Sequence, residues 1–306
     1  MKKILALLIL ALLFFTGCAI GKSITSAEKA GENKETLQQV QNTPNISNLQ
    51  NRPDTLKVHF LDAGQGDSIL IQFPNGRNML VDAGKNNSAA GIIDYLKKNG
   101  INKLDYLVGT HPHEDHIGSL DAVIEHFQIG EVLLPRVTTN TRTFRDVLAA
   151  IKNKDLKITA AKAGVNILED DNLSAKILAP NKSTYEDLNN YSAVIKIKYK
   201  EVAFLLTGDA EELSEKEILA GKADVRANVL KVGHHGSHSS TSPAFLKAVN
   251  PLYAVISAGA GNDYHHPHGE TLKRLKQAVV KVLRTDEKGT IVFTTDGKEI
   301  ALTTEK

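Results

Sequence analysis

Thr110-His111-Pro112-His113-Glu114-Asp115-His116 gathers three histidines and two carboxylates into seven residues. Two more clusters follow, His234-His235-Gly236-Ser237-His238 and His265-His266-Pro267-His268. Together the three hold nine of the chain's eleven histidines. Neutral imidazole nitrogens with one or two anionic oxygens are the donor set of a transition-metal site. In the string His111-x-His113-x-Asp115-His116, alternate residues of a loop face one side, so His111 and His113 can share one ion while Asp115 and His116 turn toward a second. Ions about 3.5–4 Å apart need a bridging anion. An aspartate from another strand end would serve, and Asp209 is the best placed.

Outward from this string the chain reads as alternating strands and helices. Leu56–Leu61 and Ser68–Phe73 have the alternation of strands, separated by the turn Asp62-Ala63-Gly64-Gln65-Gly66-Asp67. A third strand, Asn78–Val81, ends at Asp82-Ala83-Gly84. Ile92, Ile93 and Leu96 have helical spacing, and Leu104–Gly109 is a strand that delivers His111. Leu120, Val123, Ile124 and Phe127 mark a helix after the first cluster. Val202–Leu206 ends at Gly208-Asp209, Val229–Val232 at His234-His235, and Leu252–Ile256 at the loop with the third cluster. A helix through Leu272 and Leu275 and strands Val280–Arg284, Thr290–Thr294 and Glu299–Thr303 close the chain. Each polar cluster thus sits where a strand stops, and loops at one sheet edge can converge on a common point.

The N-terminal residues differ in kind. Lys2 and Lys3 precede the apolar run Ile4–Phe15, which is short for a bilayer span and suits a signal peptide over residues 1–17. The run ends in Phe15-Thr16-Gly17-Cys18, which resembles the lipobox of bacterial lipoproteins. That resemblance implies lipid attachment at Cys18 and an extracytoplasmic protein anchored to the bacterial cell membrane. More than one acyl chain holds stably where one is marginal. Cys18 is the only cysteine, so an intramolecular disulfide is excluded. Residues 18–54 are polar, read as a flexible tether. Residues 55–306 read as one large domain, long enough to bury a sizeable core. A formal net charge of +2 argues neither for nucleic-acid nor for membrane-surface binding.

The string His111-x-His113-x-Asp115-His116, with Leu80-Val81-Asp82-Ala83-Gly84 and Leu206-Thr207-Gly208-Asp209, resembles the metallo-β-lactamase superfamily. Phe60 to Ser68, Leu230 to Ser237, and Ile256-Ser257 leading to His266-Pro267-His268 resemble more closely the extracytoplasmic hydrolase domain of the DNA-uptake channel ComEC and its free-standing relatives. The resemblance implies an α/β fold, a four-layer αββα sandwich with the metals at one edge. It implies that Asp82 supports the metal loop and that Asp209 bridges. It also exposes a departure. Most dinuclear members carry a separate histidine between the first cluster and the bridging aspartate. Here that interval holds only His126, on a helix, and Asn189-Asn190-Tyr191-Ser192 stands in the expected place. The last ligand is open between His235 and His268.

The ligand set is therefore His111, His113, Asp115, His116, Asp209 and His235 or His268, for one or two divalent ions, zinc or manganese. Asp115 and Asp209 are the expected catalytic residues, orienting a metal-bound hydroxide. Asp62, Asp67 and Asp82 are assigned support, the first two with a plain turn role as the alternative. His234 and His238 are expected as hydrogen-bonding neighbours, His265 and His266 as loop residues, His59 as structural. Lys231 and Ser237 are candidates for a phosphate oxygen, with a solvated lysine as the alternative. The implied activity is that of a phosphodiesterase or nuclease linked to DNA uptake or competence. The alternatives are hydrolysis of another ester (phosphocholine ester, lactone or thioester) and a degenerate metal-binding accessory lipoprotein.

Overall fold

The computed structural model describes residue 49 and residues 52–306. The expected signal peptide, Cys18 and nearly all of the expected tether lie outside the described residues, among which no helix is long and apolar enough to cross a membrane.

Two sheets face each other. The first contains β1 (Leu56–Phe60), β2 (Ile69–Gln72), β3 (Asn78–Val81), β4 (Lys103–Val108), β5 (Gln128–Leu134) and β6 (Ile158–Ala160). The second contains β7 (Asn166–Asp170), β8 (Leu173–Ala179), β9 (Val194–Tyr199), β10 (Val202–Leu206), β11 (Val229–Lys231), β12 (Tyr253–Ile256) and β13 (Lys281–Arg284). The chain then returns to the first sheet with β14 (Ile291–Thr295) and β15 (Ile300–Thr304). The strand orders are β15-β14-β1-β2-β3-β4-β5-β6 and β13-β12-β11-β10-β9-β8-β7. Pairing is parallel over β3 to β6 and over β10 to β13, and antiparallel elsewhere.

Side-chain alternation builds the layers. Leu56, Val58 and Phe60 of β1 point between the sheets and meet Val202, Phe204 and Leu206 of β10 in one core. Phe293 lies at its centre, edge-on to Phe60, Phe204 and Tyr253 at 6.0, 6.0 and 5.3 Å. Truncating such a ring to alanine costs about 3–5 kcal/mol. On the outer face of the first sheet, Leu70, Leu80 and Leu107 pack against α1 (Ala89–Lys98), α3 (Leu120–His126) and α4 (Arg142–Asn153). A four-residue helix, α2 (Glu114–Ile117), precedes α3. On the outer face of the second sheet, Leu205, Leu230 and Ile256 pack against α5 (Glu212–Ala220), α6 (Pro243–Val249) and α7 (Gly269–Gln277). A last short helix is α8 (Thr285–Lys288). Three apolar layers between four structural layers make the αββα sandwich that the resemblance implies.

Local chemistry sets the helix starts. Thr141 caps α4 by accepting from Phe144 N, and Ser242 caps α6 by accepting from Phe245 N, with Pro243 in the first turn. The expected strands agree with the observed ones to within a residue or two, as element ends commonly do. Strands β5 to β8 and helices α2, α4, α6 and α8 have no counterpart among the elements expected from the sequence. β5 begins Gln-Ile-Gly-Glu and β6 is three residues long, so neither presents the apolar alternation of a strand.

Candidate metal centre

The carboxyl ends of β1, β3, β4, β10, β11 and β12 lie along one edge of the sandwich, and the polar clusters meet there. Asp82 follows β3 in a left-handed conformation, φ 59°, which aspartate tolerates better than branched residues. Its fully buried carboxylate accepts from Thr110 N and Thr110 Oγ1, both at 2.7 Å, and from His116 Nδ1 at 2.8 Å. That bond fixes the His116 tautomer and leaves Nε2 facing inward, 3.2 Å from Asp209 Oδ1. A carboxylate on the far nitrogen is the usual orienting partner of a metal-binding histidine.

Asp209, also buried, is the hub. Its Oδ2 lies 3.5 Å from His235 Nε2, 3.7 Å from His234 Nε2 and 3.9 Å from His111 Nε2. His235 Nδ1 donates to Ser257 O at 2.9 Å, and its Nε2 faces the centre, 3.3 Å from Asp115 Oδ2. His111 Nε2 and His113 Nδ1 are 3.0 Å apart. Asp115, His116, Asp209 and His235 each contribute one ligand atom to a group within 4.8 Å of one another.

The backbone works to bring these groups together. His234 and His235 are consecutive left-handed residues, φ 48° and 52°, each costing about 1–2 kcal/mol relative to a right-handed residue. This turn presents two neighbouring imidazoles to one cavity. Gly66 passes beneath the first cluster so closely that a Cβ there would lie 2.3 Å from Asp115 O. Asp67 N donates to that same carbonyl at 3.1 Å.

The electrostatics call for a cation. Burial pushes the Asp115 and Asp209 carboxyls up, but His116 and His235 outweigh it and hold both well below the usual carboxylate range. Burial pushes the His116 imidazole down, but Asp209, Asp82 and Asp115 outweigh it and hold it well above the usual histidine range. Buried atoms without a hydrogen-bond partner are costly. His116 Nε2, Asp209 Oδ1 and His235 Nε2 are all such atoms, and all three converge on this centre. The fold and this cluster suit a dinuclear metal site.

Other sequence expectations meet the structure as follows. Of the two open candidates, His235 joins the cluster. His268 sits outside it, its Nδ1 accepting from His238 N at 3.0 Å. His266, expected only as a loop residue, lines the cavity, and its imidazole is pushed down to about 4, by burial first and by His234 and His235 next. His234 is a neighbour as expected, through Nδ1 to Glu211 at 3.3 Å, and also aims Nε2 at Asp209. Asp62 does not reach the centre; it accepts from Gly64 N and pairs with Lys306 at the surface, so a turn role replaces support. Lys231 is neither solvated nor open to phosphate. Its Nζ is fully buried, 2.9 Å from Asp67 Oδ2. Ser237 bonds to Ser239, away from the cavity lining. His59 is structural, with Nδ1 2.8 Å from Tyr95 Oη, and His126 bonds its own helix at Ala122 O.

In the place of the absent third-motif histidine stands Ser192. Its Oγ accepts from Asp209 N at 3.1 Å and lies 3.3 Å from His111 Nδ1, so it positions two candidate ligands. The sequence marks the segment holding Ser192 but not its contacts, and Glu211 carries no site signal, because the partners of both are distant along the chain. The cavity above the cluster measures about 320 Å³ and is also lined by Gln65, Lys85, Glu114 and Tyr264.

Comparison with known proteins gives the context. The family described as the metallo-beta-lactamase superfamily matches residues 61–260. ComE operon protein 3 of Bacillus subtilis (strain 168) is 33% identical over 254 residues, 78% of this chain and 33% of that protein. Competence protein ComA of Neisseria gonorrhoeae is 33% identical over 239 residues, 77% of this chain and 32% of that protein. The chain spans about a third of the length of the curated relatives it matches. Among solved structures, CmlA, a diiron beta-hydroxylase from Streptomyces venezuelae, aligns with a TM-score of 0.51 at 12% identity over 76% of this chain and 53% of that one, a likeness of fold.

Proposed function

The chain belongs to the metallo-β-lactamase superfamily, and from that premise we propose that it is a metal-dependent phosphodiesterase or nuclease acting outside the cytoplasmic membrane. The observation that carries the reading is the convergence of Asp115, His116, Asp209 and His235 with three buried, unpartnered donor atoms pointing inward. The similarity to competence proteins supports a phosphodiester as the bond attacked.

Asp115, His116 and His235 would hold one ion. His111 and His113 would hold the other, with Asp209 shared between them. His234 stands in for the histidine that the third motif lacks, since its Nε2 is 3.7 Å from the shared carboxylate and Glu211 orients its other nitrogen. When bound, zinc or manganese ions acidify a water and polarise a phosphoryl oxygen. The chain's own part is positional. Asp82 and the Ser257 carbonyl lock His116 and His235 in the tautomers that leave Nε2 free. Asp115 Oδ2, 3.3 Å from His235 Nε2, would orient the attacking water.

Metal analysis of the purified chain, followed by assays on DNA, RNA and bis-p-nitrophenyl phosphate before and after chelation, tests the reading. Bound metal with hydrolysis of a carboxylic ester, lactone or thioester but no diester moves the activity elsewhere in the superfamily. Bound metal without hydrolysis of any ester leaves a degenerate metal-binding accessory lipoprotein. The anchoring proposal rests on Lys2-Lys3, Ile4–Phe15 and Cys18. Cys18→Ser should leave the protein unprocessed or release it from membrane fractions, and a wild-type protein without lipid rejects it.

A further inference from the structure

Tyr264 is 58% exposed, and among the described residues it is the only aromatic side chain in the set of exposed large apolar groups. It stands at the mouth of the candidate active site. One face of its ring is occupied: it stacks on His266, with centroids 5.7 Å apart and planes 21° from parallel. His266 is buried and lies 5.4 Å from His234 and 6.2 Å from His235, ring to ring. The tyrosine is thus two ring contacts from the metal cluster, the first stacked and the second edge-on to His234, and more than half of its surface stays exposed.

The loop that carries it is tied down. Asn262 Nδ2 donates to Gly259 O at 2.8 Å and to His266 O at 2.7 Å, while Asn262 Oδ1 accepts from His266 N at 3.0 Å. Gly259 N donates to Gln65 Oε1 at 3.1 Å, which fastens the loop to the turn beneath the first cluster. A flat aromatic face held in place beforehand binds a second flat ring without a further ordering cost. Lys85 lines the same cavity and supplies a cation for a phosphate. A cavity of about 320 Å³ is at the small end of the range for ligand sites.

We propose that Tyr264 is a stacking platform for an unpaired nucleobase, so that the site takes single-stranded nucleic acid, one nucleotide at a time, with the scissile phosphate over the metal cluster. The inference rests on the phosphodiesterase reading. Stacking on an aromatic side chain tolerates any base, because every base has a π-face. The side chain acts on binding and touches no reacting atom, so its loss should raise KM and spare kcat.

The experiment uses the full chain with its metal, a single-stranded oligodeoxynucleotide, an abasic oligomer of the same length, and an oligomer containing 2-aminopurine. Tyr264→Ala should raise KM for the base-bearing strand about 5- to 100-fold, with kcat within about twofold. Tyr264→Phe should stay within about threefold of wild type, and the abasic oligomer should not distinguish the three proteins. Binding should quench 2-aminopurine fluorescence in the wild type and in Tyr264→Phe but not in Tyr264→Ala. An unchanged KM in Tyr264→Ala, or an equal rise for the abasic strand, overturns the platform while leaving the phosphodiesterase reading intact. If the wild type cleaves no diester, the fluorescence titration decides alone. Quenching lost only in Tyr264→Ala keeps the nucleotide site and discards the hydrolytic reading; absence of quenching discards the platform.

Discussion

Lys231 Nζ lies 2.9 Å from Asp67 Oδ2 beneath the candidate metal centre, with the side chains 0% and 1% exposed. Asp67 Oδ1 in turn lies 3.5 Å from His235 Nδ1. The pair joins β11 to the turn after β1 and so braces the two sheets behind the cluster. Breaking a buried pair from one side leaves an uncompensated charge. Lys231→Met should therefore cost about 3–5 kcal/mol in urea unfolding, and Lys231→Met with Asp67→Leu should recover most of it. Equal losses in the single and double variants would show that packing, not charge, holds this position.

Asp209 and Asp82 touch the centre in different ways, and their variants should separate. Asp209→Ala removes the shared carboxylate, so metal content should drop and hydrolysis should fall by about 10²-fold or more, the scale for a group that meets the transition state. Asp82→Asn keeps the left-handed backbone and the bond from Thr110 N but removes the anionic partner of His116. Metal affinity, read by chelator competition, should weaken about 10- to 100-fold with the fold retained. Full metal content in Asp209→Ala counts against a shared ligand.

His59 sets a test of pH dependence away from the centre. Burial, with Lys57 next, lowers its imidazole to about 4, against 6.5 in an unfolded chain. Below pH 6.5 the unfolded chain therefore binds a proton that the folded chain refuses. The stability tied to His59 is fully present above pH 6.5 and is lost as the pH falls to about 4, by about 3 kcal/mol in total. His59→Gln should remove that part of the acid slope in urea titrations at pH 7.5, 6 and 5. An unchanged slope would falsify the assignment.

Metal should act on the fold as well as on the reaction. Without a cation, Asp115 and Asp209 face each other's field across the cluster. Chelation should abolish hydrolysis and lower the Tm. Zinc or manganese at about 100 times its Kd adds about 2.7 kcal/mol, or about 5–10 °C for a domain of this size. Scanning calorimetry with and without each ion reads this directly, and an unshifted Tm across both ions would argue that the cluster is a proton-filled remnant.

Much of this site was legible in the chain, because its densest part is local. His111, His113, Asp115 and His116 lie within one loop, and their spacing alone names a metal centre. Asp82 and Asp209 stand out because each follows a strongly apolar strand and a strand must stop at the sheet edge. The four-layer fold followed from those motifs through family resemblance. What the tertiary structure decided is every choice among similar residues far apart. His235 joins the cluster and His268 does not, because two left-handed residues after β11 swing the earlier imidazoles inward while His238 holds the later one outside. Lys231 reads in sequence as an ordinary strand lysine, yet the crossing of two sheets buries it against Asp67. His266 and Tyr264 reach the cavity because Asn262 folds their loop back on itself. Spacing along a chain determines which side chains share a loop, whereas which loops share a cavity depends on strand order and backbone sign, and neither is written in any local stretch.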